Sequence, residues 1–175
     1  MQINNINLRL RPYNSFKDFE VIKNWITQPR EHAMWCANIM RFPLNWDDFE
    51  NVMDDIAQRC GDSPYVATTD EGRPVGFFCY SVNCETNAGK FKFVMVDPEL
   101  RGKGVGKEML KLAVKYAFEI TKADMVDLIV FSPNIGAKKC YESAGFTDVQ
   151  SDSAPFSYDG ETWERCYMVI KNGGK

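Results

Sequence analysis

The chain has 175 residues, 45% of them hydrophobic and 26% charged, with a formal net charge of −3. This length fits one domain spanning 1–175, and the composition excludes a disordered chain and a generally basic nucleic-acid binder. One histidine, and six cysteines (Cys36, Cys60, Cys79, Cys84, Cys140, Cys166) with no C-x-x-C pair, exclude a zinc site of the usual spacing, so no metal is expected.

The N-terminal MQINNINLRLR has no apolar run of the signal-peptide kind, and no segment reaches the ~18 apolar residues of a membrane span. A cytoplasmic protein is expected, with free, buried or half-buried thiols and no membrane or nucleic-acid partner. Asn7–Arg11 alternates polar and apolar residues and predicts a first strand. Ser15 with Asp18 resembles a capping box and predicts a helix to about Trp25. Pro29 fits the first turn of a short helix through Cys36. Asn45 and Asp48 repeat the cap pattern. Phe49, Val52, Met53 and Ile56 follow at helical spacing, and Gly61 ends that helix.

The period then changes. Tyr65–Thr69, Val75–Val82 and Lys90–Val96 read as three strands of an antiparallel meander, joined by polar turns. Gly104–Ile120 is the strongest helix, with Val105, Met109, Leu112, Ala113, Tyr116 and Ile120 on one face. Val126–Phe131 is an apolar run expected of a strand covered on both faces. Asn134–Ser143 predicts a short helix closed by Gly145, and Phe146–Val149 and Trp163–Ile170 the last strands. A meander and a crossover together require a mixed sheet, so the fold class is α/β or α+β.

The chemistry concentrates in Arg101-Gly102-Lys103-Gly104-Val105-Gly106-Lys107, between a strand and a helix. Glycines let the backbone approach a ligand closely. The free N–H groups of the helix start and the positive end of its dipole favour an anion. Lys103 and Lys107 add charge. A Walker A loop needs four residues between Gly and Gly-Lys, then Ser or Thr; here three intervene and Glu108 follows. The dinucleotide spacing G-x-G-x-x-G also fails, because the sequence is G-x-G-x-G. A nucleotide-phosphate enzyme is therefore disfavoured.

Arg101, Gly104 and Gly106 form R-x-x-G-x-G after a strand ending Val-Asp-Pro, and NIGAKKCYESAGF follows about thirty residues later. Together they resemble the acyl-CoA signature of the GNAT acetyltransferases, nearest to the bacterial branch that includes ribosomal-protein N-terminal acetyltransferases. The resemblance implies a GNAT-like domain with a mixed, mostly antiparallel sheet flanked by helices and splayed at strands 4 and 5. It implies acetyl-CoA as acetyl donor, with Val94, Met95 and Val96 along the pantetheine arm. It also places Arg101, Gly102, Lys103, Gly104, Val105, Gly106 and Lys107 at the pyrophosphate, and Asn134 at the pantetheine. Tyr141 matches the family's general acid. A phenol of pKa ~10 keeps its proton at neutral pH and can give it to a departing thiolate of pKa ~8.5. A core tyrosine on the apolar face of a helix is the bland reading of the same residue.

The family's usual glutamates are missing: Ile129 holds the fifth-strand position, and Lys90 and Lys92 the fourth-strand region. A water chain, or an acid from a loop, is left as the proton's route. His32 and Trp35 lie in Pro29–Trp46, the acceptor-facing segment by resemblance, and are the candidate substrate-binding residues. Cys140 beside Tyr141 raises a covalent acyl-cysteine route, disfavoured because adjacent helix residues point in different directions. The expected activity is direct transfer of acetyl to a primary amine, of a small molecule or a protein N-terminus, by a monomer or homodimer. The competing reading is a non-catalytic acyl-CoA-binding module or sensor, which the missing glutamates favour.

Overall fold

The computed structural model describes residues 7–173. Strands β1 (Arg9–Pro12), β2 (Ser63–Thr68), β3 (Pro74–Asn83), β4 (Ala88–Val96), β5 (Met125–Phe131), β6 (Thr147–Val149) and β9 (Arg165–Lys171) form a seven-stranded sheet. Its order is β1-β2-β3-β4-β5-β9-β6. Strands β7 (Phe156–Tyr158) and β8 (Glu161–Trp163) form a separate hairpin. The helices are α1 (Ser15–Ile22), α2 (Pro29–Cys36), α3 (Trp46–Cys60), α4 (Val105–Glu119) and α5 (Ile135–Ser143).

Every pairing in the large sheet is antiparallel except β4–β5. The mixed, mostly antiparallel sheet and its crossover helix α4 are those expected from the change of period along the chain. One face carries Phe78, Tyr80, Phe91, Val126 and Leu128 against Met109, Leu110, Ala113 and Val114 of α4. The other face carries Val66, Phe77, Cys79 and Met95 against Phe19 and Ile22 of α1, Cys36 of α2, and Phe49, Met53 and Ile56 of α3. Burial of these apolar stripes is what closes the layers.

Local chemistry shifts several predicted boundaries. Asn14, not Ser15, caps α1: its side chain accepts from the Lys17 N–H, and Asp18 accepts from the Asn14 N–H at 2.7 Å. Asp18 is buried and held by both terminal nitrogens of Arg11 at 2.7 Å. The helix ends at Ile22 rather than near Trp25. β1 runs Arg9–Pro12 rather than Asn7–Arg11, in register with β2. Trp163 does not open the last strand but closes the β7–β8 hairpin, where its ring stacks on Tyr158 at 4.6 Å. β5 is buried on both faces except at Ile129, which is 43% exposed, and Ile120, 66% exposed, lies just past α4 rather than on its buried face. Cys60 and Cys84 are exposed, unlike the other four free cysteines.

Two irregularities open the sheet at one place. The β3–β4 register pairs Phe77 with Met95 but Cys79 with Lys92, so β4 carries one extra residue. Phe93, at that bulge, adopts φ +52°, a left-handed conformation that a bulky residue holds only under tertiary constraint. β4 then pairs with β5 only across Ala88–Lys90 and Met125–Asp127. Beyond that point the strands part in a V.

Candidate active site

The V opens into a cleft of about 620 Å³. It passes through the sheet. On the α4 and α5 side it is lined by Gly106, Lys107, Leu110, Asn134, Cys140 and Tyr141. On the other side it meets Ile26, Glu31, Met34 and Trp35.

The glycine turn forms one end. Asp97, which follows β4, caps the 3-10 turn Pro98–Leu100 by accepting from the Glu99 N–H at 3.0 Å. It also accepts from Arg73 at 2.7 Å. Gly102 and Gly104 then take φ +72° and +87°, where a β-carbon would be strained. Gly104 is the N-cap of α4 and offers no side-chain acceptor to the first-turn N–H groups. Gly106 lies so close to α5 that a β-carbon there would stand 2.8 Å from the Cys140 sulfur. Lys107, in the first turn of α4, and Lys139, on α5, also line the cleft. These are the features an anionic pyrophosphate needs, so the residues present fit the phosphate end of a coenzyme A ester.

Of the residues singled out from sequence, Trp35, Val94, Met95, Val96, Arg101, Gly102, Gly104, Gly106, Lys107, Asn134 and Tyr141 line the cleft. Val105 is placed in the core under α4, and Lys103 sits exposed on the turn. Asn134 caps α5 through its side-chain oxygen, which accepts from the Ala137 N–H at 3.3 Å. Arg101 lines the cleft, but its guanidinium donates to the Val96 carbonyl at 3.2 Å, to the Trp25 carbonyl at 3.3 Å and to the Glu31 carboxylate.

His32 is not brought to the cleft. It is buried behind Trp35, edge-on to that ring at 6.2 Å and to Phe42 at 5.5 Å. Its nitrogens face Asn38 and the Cys36 sulfur. Burial lowers its pKa, which favours the neutral ring. Neither is it the surface histidine that a lone imidazole suggests. Apolar spacing on α2 does not reveal this, because the turn at Ala37 and Asn38, both at positive φ, folds the following loop back over the ring.

Tyr141 is 7% exposed and belongs to the core cluster under α4, with its ring 6.3 Å from Phe146. Among the described residues none hydrogen-bonds its hydroxyl. Burial raises the pKa of this phenol above its ordinary value, so it keeps its proton. Burial likewise raises the pKa of Cys140, which disfavours a thiolate nucleophile there. The fourth-strand lysines are paired, Lys90 with Asp127 and Lys92 with Asp62, both at 2.6 Å. Asp62 is fully buried and invisible to sequence reasoning, because thirty residues separate it from its partner. Glu31 is the one carboxylate among the cleft-lining residues. No cluster of metal-ligating side chains occurs among the described residues, and no helix is long and apolar enough to cross a membrane.

A bulged fourth strand, a parallel but splayed fifth strand and a glycine turn at a helix start are the arrangement expected of an acyltransferase with an acyl-CoA donor. The profile of the acetyltransferase (GNAT) family matches residues 19–146, and the chain belongs to that family. It is an N-acetyltransferase with acetyl-CoA as donor. It is 26% identical over 127 residues to the spermine/spermidine N(1)-acetyltransferase of Bacillus subtilis, covering 69% of this chain and 84% of that one. A shorter match, 38% identical over 71 residues, is to the acetyltransferase PseH of Campylobacter jejuni, covering 41% of this chain and 43% of that one. The fold is similar to that of the spermidine N-acetyltransferase of Vibrio cholerae in complex with CoA and spermine. The TM-score there is 0.77 at 21% identity, over 95% of this chain and 96% of that one.

Proposed function

We propose that this chain, read as one domain over 1–175, moves acetyl from acetyl-CoA directly to a primary amine of a small polyamine-like molecule, with Tyr141 as general acid. The observation that carries the reading is the convergence of Tyr141, the β4 bulge and the glycine turn on one cleft. The polyamine activities of the Bacillus and Vibrio relatives support the acceptor class over the protein N-terminus that the ribosomal-protein branch suggests.

Bound acetyl-CoA supplies an activated thioester. The glycine turn and the α4 N-terminus bind its pyrophosphate, with Lys107 and Lys139 as counter-charges. The backbone of Val94, Met95 and Val96, freed from β5 by the splay, orients the pantetheine arm, and Asn134 borders it from α5. The amine lone pair forms the C–N bond as the C–S bond breaks, and Tyr141 gives its proton to the departing sulfur. With its pKa raised by burial, the phenol is protonated throughout the working range. The proton lost by the acceptor nitrogen passes to water at the open face of the V, and solvent returns a proton to the Tyr141 phenolate, so amide and free CoA thiol leave with the enzyme restored. The cleft there carries Ile129 and Lys92, the latter paired with Asp62, rather than a strand carboxylate.

The test is a panel of spermidine, spermine, short monoamines and a peptide with a free N-terminus, reading free CoA thiol. Thiol release with the polyamines is the expected result. Release with the peptide alone returns the reading to the ribosomal-protein branch. CoA binding without release by any amine, the outcome the missing strand glutamates would favour, makes the chain a sensor.

A further inference from the structure

Glu31 occupies a particular place. It sits on α2 at the side of the cleft away from α4 and α5, and it is the one carboxylate among the cleft-lining residues. The remaining charges there, Lys92, Arg101, Lys107 and Lys139, are cationic. Lys92 is neutralised by the buried Asp62. Lys107 belongs to α4 and Lys139 to α5, on the other side of the cleft. So a cation entering from the α2 side meets one carboxylate and no unpaired positive charge close to it.

The carboxylate is fixed but not saturated. One oxygen accepts from Arg101, and the side chain keeps 33% of its exposure. The other oxygen has no partner among the described residues. Arg101 is itself immobilised by the Val96 and Trp25 carbonyls, so the pair is anchored at the end of β4 and after α1. Its guanidinium is occupied by protein acceptors, so Arg101 serves as a strut between the glycine turn and α2.

Beside Glu31 the cleft lining includes the apolar side chains Met34, Trp35 and Phe93, the last two rings 5.6 Å apart, and Ile129 of β5. A single carboxylate among apolar lining side chains suits a chain of methylenes that carries a second charge. We propose that Glu31 anchors the second, non-reacting ammonium of a di- or polyamine, and that Arg101 positions it. This rests on the amine-acetyltransferase reading above and names the residue that selects among amines.

The experiment compares spermidine with butylamine, an acceptor without a second charge, in the wild type, Glu31→Gln and Glu31→Asp. The selectivity ratio of kcat/KM, spermidine over butylamine, is expected to fall about tenfold or more in Glu31→Gln, through KM for spermidine, and to recover in part in Glu31→Asp. If Glu31 merely braces α2, both amines suffer alike and the ratio stays constant, which overturns the proposal. Calorimetry of spermidine binding to the CoA complex reads the anchor without turnover. Should no amine be acetylated, the function above fails while a loss of spermidine affinity in Glu31→Gln still upholds the anchor. Equal affinity in the two proteins overturns it.

Discussion

Tyr141→Phe separates chemistry from stability at the centre of the cleft. The substitution removes one hydroxyl and keeps the ring that packs near Phe146. That hydroxyl has no hydrogen-bond partner among the described residues, so its loss orphans no buried group. The expected change in folding free energy is below about 0.5 kcal/mol, a shift in Tm of roughly 1–2 °C for a chain of this size. Loss of a positioned acid costs about 10²–10⁴ in rate. At about 1.36 kcal/mol per decade that is roughly 2.7–5.4 kcal/mol of transition-state stabilisation. The two quantities differ enough to be measured apart. Thiol release gives kcat, thermal melts give Tm, and calorimetry gives acetyl-CoA affinity, which is expected to stay near the wild-type value. The pH dependence adds a sign. Burial raises the folded pKa of Tyr141, so its proton is retained as pH rises past the ordinary phenol value. The alkaline limb of kcat in the wild type is then not set by this group. Unchanged turnover in Tyr141→Phe refutes the general-acid role. A Tm several degrees lower refutes the reasoning that the hydroxyl faces the cleft alone.

Three further outcomes follow from the same structure. Gly89, where β4 still pairs with β5, would bring a β-carbon within 2.7 Å of the Tyr80 ring, itself tied to Thr121 at 2.7 Å. Gly89→Ala is expected to cost about 1–3 kcal/mol, read as a Tm lowered by roughly 2–12 °C, and an unchanged Tm would show that the ring yields. Lys92→Met leaves the buried Asp62 carboxylate without its counter-charge and is expected to destabilise by about 3–5 kcal/mol in urea unfolding. Much of that returns when Asp62→Leu is added, and additive losses would contradict the pairing. Glu161, held by Arg30 and the Trp163 indole, has its pKa lowered to about 2. A depressed carboxylate stabilises above its ordinary pKa and loses that contribution as pH falls from about 4.5 to about 2. Arg30→Gln should flatten the Tm–pH curve in that window, and an unaltered curve would show that the pair contributes nothing there.

Much of the architecture was legible because it depends on short-range rules. The caps at Asn45 and Asn134, the αL glycine at Gly61 and the proline opening α2 lie where local hydrogen bonding requires them. The change from a period of 3.6 to a period of 2 separated α3 from the meander, since each element buries one stripe or one face. The glycine turn was legible for the same reason: positive φ and close approach are demands on single residues. The first helix was misjudged by a residue at its start because Asn14 and Ser15 are both competent caps. The choice fell to Asp18, which Arg11 holds from β1.

By itself the sequence determined the order of the helices and of the seven strands of the large sheet, though not the β7–β8 hairpin, and it singled out the glycine turn and Tyr141 as candidates. Only the tertiary structure decided what shares the cleft. It turned Arg101 toward protein carbonyls, carried His32 behind Trp35, paired Lys92 with Asp62 across thirty residues and brought Glu31 to the open wall. The physical reason is range. Backbone conformation and amphipathic period act over a few neighbours, whereas charge pairing and side-chain exposure depend on strands and helices distant in sequence. The splay itself combines both. One extra residue in β4 is a local event, but only its mismatch with β3 and β5 opens the cleft.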